Sequence, residues 1–104
     1  MDTALRALAD RTRRRILTLV WYEERSASDI ASQFPISRPA VSQHIKVLID
    51  SELVTLRRAG TQRLYRANHE TVAKLQEELS SFWDVALPKL KRAIEQTERK
   101  ARRK

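Results

Sequence analysis

Apolar side chains recur at helical spacing along residues 36–48, and polar side chains fill the positions between them. Val41, Ile45 and Leu48 follow the i, i+4, i+7 pattern of a single helical face. The remaining face carries side chains that donate or accept hydrogen bonds, namely Arg38, Ser42, Gln43 and Lys46. Packing inside a fold requires the apolar face alone, so the pattern predicts a helix whose polar face meets a ligand outside the fold.

Two residues mark the start of this helix. Ser37 can accept a hydrogen bond from a backbone N–H of the first turn, as an N-cap does. Pro39 is tolerated in that turn because the N–H groups there have no partner inside the helix.

Two helices are predicted near the start of the chain. Residues 3–9 show a helical apolar pattern, and Asp10 has the position of an N-cap for a second helix. Trp21 and Tyr22 are expected to finish that second helix.

A third short helix is predicted to begin after Ser26 or Ser28 and to end at Pro35. A tight turn then leads to Ser37. Two short helices joined by a few residues, the second with a polar outer face, are typical of a helix-turn-helix motif.

The pattern changes from helical to alternating after Leu53. Residues 54–57 and 62–66 predict two strands, and Gly60 lies between them at a turn that favours a positive φ. Four arginines lie on this hairpin: Arg57, Arg58, Arg63 and Arg66. A basic ribbon directly after such a helix predicts a wing, although edge strands also carry cations that prevent aggregation.

A long apolar stripe runs along residues 70–98 at spacings of mostly three and four. A helix of this length would extend about 43 Å, which is more than the core of so small a domain can cover. The stripe therefore predicts a dimer contact. Pro88 is expected to kink this helix or to divide it near Leu87.

Composition limits the classes of function that the chain can have. The chain has 104 residues and a formal net charge of +8, which favours a polyanionic partner. We predict one domain over residues 1–98 and a basic, disordered tail over residues 99–104, which hold five basic residues and no acidic one. The sequence has no cysteine and no apolar run long enough to span a membrane, so a cytoplasmic protein without membrane contact is expected.

The order of these elements resembles the ArsR/SmtB family of bacterial winged-helix repressors. The matching segments are residues 7–17, residues 37–48, Gly60 with residues 63–66, and the pair Phe82-Trp83. The family pattern has proline where this sequence has Arg11, and Pro88 is unusual in its last helix. The resemblance implies a mostly α fold with a β-hairpin wing, a winged helix-turn-helix that is dimeric through its N- and C-terminal helices.

Many members of that family sense metals through cysteines of the first motif helix or through Asp, His and Glu sets on the last helix. This sequence has no cysteine, and its histidines are His44 and His69. It therefore resembles the branch without the metal-ligand cysteines. We predict no metal site and no cofactor, and the sequence identifies no small-molecule effector.

The predicted contacts with double-stranded DNA combine the polar helix face with the wing tip. Ser42 and Gln43 are expected to reach base edges, whereas Arg38 and Lys46 are expected to contact phosphate. His44 is expected to have a structural or phosphate-anchoring role. The full set is Ser37, Arg38, Pro39, Ser42, Gln43, His44, Lys46, Arg58 and Arg63.

The predicted dimer contacts come from the first and last helices, as the length of the stripe suggests. They are Leu5, Leu8, Leu75, Leu79, Phe82, Trp83 and Leu90. Two alternatives stay open at this point: a protein–protein module on a winged-helix scaffold, and a regulator with a small-molecule pocket near the dimer helices. No enzymatic activity is predicted, because the carboxylate pairs at residues 23–24 and 77–78 are adjacent in sequence and do not share a helical face.

Overall fold

The computed structural model describes residues 1–102. The elements in this part of the chain are α1 (Asp2–Leu8), α2 (Arg11–Leu19), β1 (Arg25–Ser26), α3 (Ala27–Ala31), α4 (Arg38–Asp50), β2 (Val54–Ala59), β3 (Gln62–Ala67) and α5 (His69–Arg102). They form two compact units, one spanning Met1–Ala73 and the other beginning at Lys74. The predicted fold class, mostly α with a hairpin wing, is confirmed.

Side-chain caps begin three of the helices where the sequence predicts them. Asp10 accepts a hydrogen bond from the backbone N–H of Arg13 at 3.0 Å. Ser37 accepts one from the N–H of Ala40 at 3.2 Å, and Pro39 lies in the first turn that follows. Of the two serines that could cap α3, Ser26 does so. Each cap stabilises its helix by about 1 kcal/mol, since it satisfies an N–H that has no partner inside the helix.

The core of the first unit lies beneath α4. Val41, Ile45 and Leu48 are all buried, as predicted from their spacing. α4 packs on α2, α3 and β2, and the largest fully buried side chains around it include Ile16 and Ile30. Burying the apolar face of α4 orients the opposite face to solvent, which is what a ligand-binding helix requires.

The hairpin of β2 and β3 is the predicted wing. The strands pair antiparallel from Val54 opposite Ala67 to Ala59 opposite Gln62, and Gly60 at the turn has a φ of +63°. The sheet has a third strand, β1, beside β3. The sequence does not predict β1, because two residues are too few to show a period.

Side chains alternate across the hairpin, and this alternation separates its arginines. Val54, Tyr65 and Ala67 are buried on one face. Arg58 and Arg63 continue the same face at the exposed tip, whereas Arg57 and Arg66 belong to the other face.

The second helix is shorter than predicted. α2 ends at Leu19, and Val20 is its C-cap, so Trp21 and Tyr22 lie beyond it. The Trp21 ring instead stacks against the His69 ring, with 4.3 Å between centroids, and the His69 Nε2 lies 2.7 Å from the Trp21 carbonyl. This non-local contact overrides the helical pattern that the sequence shows at residue 21.

The last helix is longer than predicted. α5 runs without a break past Pro88, so the expected division near Leu87 is wrong, and a kink there stays a prediction. Proline removes one donor, to the carbonyl of Asp84, and the rest of the 34-residue hydrogen-bond ladder maintains the helix.

The predicted disordered tail is also wrong for residues 99–102, which form the last turn of α5. Alanine, lysine and arginine have high helix propensity, and cations interact favourably with the helix C-terminus. Residues 103 and 104 lie outside the described residues.

Candidate nucleic-acid interface

The outer face of α4 presents its polar side chains to solvent. Arg38, Ser42, Gln43 and Lys46 are all exposed. None of these four side chains has a hydrogen-bond or ion-pair partner within residues 1–102. Their donors and acceptors are therefore available to a ligand.

A second set of unpaired cations lies at the wing tip. Arg58 and Arg63 are directly opposite each other across β2 and β3, and both are exposed. Like charges in this position destabilise a sheet, and neither guanidinium is paired with a carboxylate in the described chain. An external anion between them would offset this repulsion.

A cavity of about 380 Å³ joins the helix face to the wing. Arg38 and Ser42 from α4 line it together with Arg63 from the wing. The structure therefore brings three of the predicted residues, separated by up to 25 positions in the sequence, to one concave surface.

The same cavity adds polar residues that the sequence does not predict as contacts. They are Ser28 at the start of α3, and Thr61 and Gln62 at the wing turn. Hydroxyl and amide groups of this kind commonly contact phosphate oxygens. Their roles follow from the pairing of β1 with β3, which places α3 beside the wing.

The Nδ1 atom of His44 faces other side chains of the protein. This atom lies 3.3 Å from the Arg13 Nη1 and 4.0 Å from the Asp10 Oδ1. A guanidinium donates hydrogen bonds only, so the Nδ1 of His44 is the acceptor. The contact supports the structural alternative for His44, and its Nε2 is the ring atom left for a phosphate.

Arg13 is the centre of this junction between α1, α2 and α4. Its Nε donates to the carbonyl of Ala7 at 2.6 Å and its Nη2 to the carbonyl of Arg6 at 3.2 Å, both near the end of α1. The Arg13 backbone N–H, more than any other group, lowers the pKa of Asp10. The sequence does not distinguish Arg13 from its two arginine neighbours, and the structure does.

Arg57 is also engaged inside the protein. Its Nε and Nη2 atoms each donate to a carboxylate oxygen of Glu24 at 2.9 Å. This hydrogen-bonded pair lowers the pKa of Glu24 and raises that of Arg57. Because the pair joins β2 to the segment before β1, it orients the wing.

Comparison with known proteins identifies this arrangement. A helix-turn-helix domain model matches residues 8–57. The chain is 44% identical to the HTH-type transcriptional regulator Rv2034 of Mycobacterium tuberculosis, over 83% of this chain and 80% of that protein. It is 38% identical to the arsenical resistance operon repressor of Staphylococcus xylosus, over 76% of each chain.

A solved structure has the same fold. The homodimeric winged helix-turn-helix DNA-binding domain of Mb0332 from Mycobacterium bovis, described as a possible ArsR-family regulator, superposes with a TM-score of 0.65. It is 31% identical, covering 80% of this chain and 77% of that one. The chain belongs to the ArsR/SmtB family of DNA-binding transcriptional regulators. The relatives named above are transcriptional regulators.

The apolar stripe of this ArsR/SmtB protein is exposed along α5. Phe82, Trp83 and Leu90 are each about half exposed, and the Phe82 and Trp83 rings meet edge to face at 5.2 Å. Leu87 and Ile94 extend the exposed stripe and were not among the predicted contacts.

The other predicted dimer residues differ in exposure. Leu75 is buried, and its assignment as a dimer contact stays a prediction. Leu79 is half-buried. On α1, Leu5 is exposed and Leu8 is half-buried.

No group of three or more metal-ligating side chains lies close together among residues 1–102. Over the same residues, no helix combines the length and the apolar character that crossing a membrane requires.

Proposed function

We propose that this regulator is a homodimeric, cytoplasmic repressor that binds a pseudo-palindromic operator. Each protomer places α4 in a major groove and its wing on the adjoining backbone. The observation that carries the proposal is the cavity between α4 and the wing, where Arg38 and Arg63 have no partner in the described chain and Ser42 is exposed.

Residues in the middle of α4 recognise the bases. Ser42 and Gln43 are the two exposed residues that follow the buried Val41, so they project from the helix toward the groove. A glutamine side chain can form a bidentate contact with adenine, and each good contact of this kind contributes about 1–3 kcal/mol of discrimination.

Phosphate contacts surround this centre. Arg38 and Lys46 lie at either end of the exposed face of α4, and Arg58 and Arg63 lie at the wing tip. Such contacts fix the orientation of the protein on the duplex without selecting a sequence. Ser37 and Pro39 support them indirectly, because they fix where α4 begins.

Dimerisation is assigned to the exposed stripe of α5. The helix is about 50 Å long, and apolar side chains half exposed along it favour a second copy of the chain. The M. bovis relative is homodimeric, which supports the same assembly. Repression then follows if the bound dimer occludes the promoter.

No catalytic role is assigned. The cavity between α4 and the wing is lined by hydroxyl, amide, guanidinium and apolar groups, without a carboxylate or imidazole that could act as a general base.

Selection of bound duplexes from a random DNA pool tests this proposal. We expect the full chain to enrich two inverted half-sites whose centres lie about one helical turn apart. Gln43→Ala should relax the preference at one position of each half-site, and Gln96→Ala, an exposed glutamine on α5, should not. No enriched sequence would favour a protein–protein module instead, and an unchanged Gln43→Ala profile would reject the role of Gln43.

A further inference from the structure

A second, larger cavity is lined by α2, by the segment that leads into β1 and by the turn after α3. Its volume is about 840 Å³, within the range of small-molecule sites. Four arginines and one glutamate line it, namely Arg11, Arg14, Arg15, Arg25 and Glu23. It shares no lining residue with the cavity between α4 and the wing.

Two of the four arginines are engaged by the protein. Arg25 donates to an Asp29 carboxylate oxygen at 3.0 Å and to the Leu19 carbonyl at 3.1 Å. Arg14 donates to the carbonyl of Leu8 at 2.8 Å. These contacts hold the guanidiniums of Arg14 and Arg25 against the protein.

The other two arginines leave the cavity with uncompensated positive charge. Arg11 and Arg15 are exposed, and neither is paired with a carboxylate in the described part of the chain. They are four positions apart on α2, so both lie on one helical face. An anion placed between them could accept hydrogen bonds from both guanidiniums.

Apolar surface lies directly beside this charge. The Arg15 guanidinium is 5.2 Å from the centroid of the Phe34 ring, and Phe34 is half-buried. Leu19, also half-buried, lines the same cavity. A cation stacked on an aromatic ring forms a platform that suits a ligand with both a charged group and a flat apolar body.

We propose that this cavity binds a small organic anion. Its acidic group contacts Arg11 and Arg15, and its aromatic or aliphatic body packs on Phe34 and Leu19. Phe34 lies in the turn between α3 and α4, so occupancy would act on the helix-turn-helix motif itself. That regulatory consequence rests on the proposed function, whereas the binding does not.

Titration of the full chain with 2-naphthoate, followed by calorimetry, tests the binding in the absence of DNA. We expect one site per chain, with affinity reduced about tenfold or more in Arg15→Ala and in Arg11→Ala. Arg92→Ala, which removes an exposed cation of α5, should bind as the unsubstituted chain does. The neutral 2-naphthylmethanol should bind at least about tenfold more weakly, because it lacks the charge that the arginines recognise.

Titration with inorganic phosphate distinguishes this site from a surface that binds any anion. If phosphate binds as tightly as 2-naphthoate, or if Arg11→Ala and Arg15→Ala both retain full affinity for 2-naphthoate, the proposal is wrong. Circular dichroism of each variant verifies that the fold is retained.

Binding of the same variants to operator DNA is the last part of the test. Without 2-naphthoate, Arg11→Ala and Arg15→Ala should bind DNA as tightly as the unsubstituted chain. A loss as large as that caused by Arg38→Ala would place the cavity in the DNA surface and overturn the proposal. Retained 2-naphthoate binding in a chain that selects no DNA would contradict the proposed function alone.

Discussion

The junction of α1, α2 and α4 and the face formed by α4 and the wing use the same residue type in opposite ways. At the junction, the Arg13 guanidinium contacts the carbonyls of Arg6 and Ala7 and the His44 ring. On the α4–wing face, Arg58 and Arg63 stand opposite each other without a carboxylate partner in the described chain. The chain has 21 basic residues. Those that are paired within the protein support the fold, whereas the unpaired ones are available to bind a ligand.

The energetics of the two regions differ accordingly. A hydrogen bond from a charged donor contributes at most about 1.5–3 kcal/mol, and solvent weakens the three bonds of the half-buried Arg13, which still stabilise the fold. Like charges directly opposite across a sheet cost up to about 1 kcal/mol, so the wing tip carries a small penalty until an anion binds. Substitutions should therefore affect stability in one region and DNA affinity in the other.

The largest effect is expected for Arg38→Ala combined with Lys46→Ala. A dimer would lose four phosphate contacts, and its affinity for operator DNA should fall by about a hundredfold or more. Fluorescence anisotropy measures this loss. The matched control, Lys89→Ala with Arg92→Ala, removes two exposed cations of α5 and should change the affinity little; equal losses would mean that total charge decides.

The next effect concerns stability. Arg13→Ala should lower the free energy of unfolding by about 2 kcal/mol, because it leaves two carbonyls and the His44 ring without their donor. Arg14→Ala removes a single, exposed hydrogen bond and should cost less. Urea denaturation of both variants measures the difference, and equal costs would remove the distinction between Arg13 and its neighbour.

The smallest effect concerns the hydrogen-bonded pair of Arg57 and Glu24, and it depends on pH. The Arg57 guanidinium lowers the pKa of Glu24 below its ordinary value of 4.5, so the pair stabilises the fold fully above that pH. Its contribution is lost as the pH falls through the lowered pKa. Glu24→Gln should therefore lower the Tm slightly at pH 7, and this difference should shrink as the pH falls through the lowered pKa. A Tm difference that does not shrink on acidification would contradict this account.

Local signals predicted most of the helix-turn-helix and the wing. The caps at Asp10 and Ser37 act within three residues, and the buried face of α4 follows from spacing alone. The turn at Gly60 likewise needs no distant partner, because its positive φ is set within the hairpin.

The interactions that the sequence did not predict are long-range. Glu24 and Arg57 are 33 positions apart, and nothing in the order of residues indicates that this arginine, and not Arg58, is paired. β1 exists only because β3 lies beside it. Residue types along α2 likewise do not show that Arg13 would reach His44, 31 positions away.

The salt dependence of operator binding tests the role of the unpaired cations most directly. If each protomer neutralises phosphates with Arg38, Lys46, Arg58 and Arg63, the log–log slope for a dimer should be roughly −7. Arg58→Ala with Arg63→Ala should reduce it to roughly −3.5. Arg57→Ala, the neighbour already paired with Glu24, should leave the slope unchanged. An unchanged slope in the double variant, or an equal reduction in Arg57→Ala, would contradict the account.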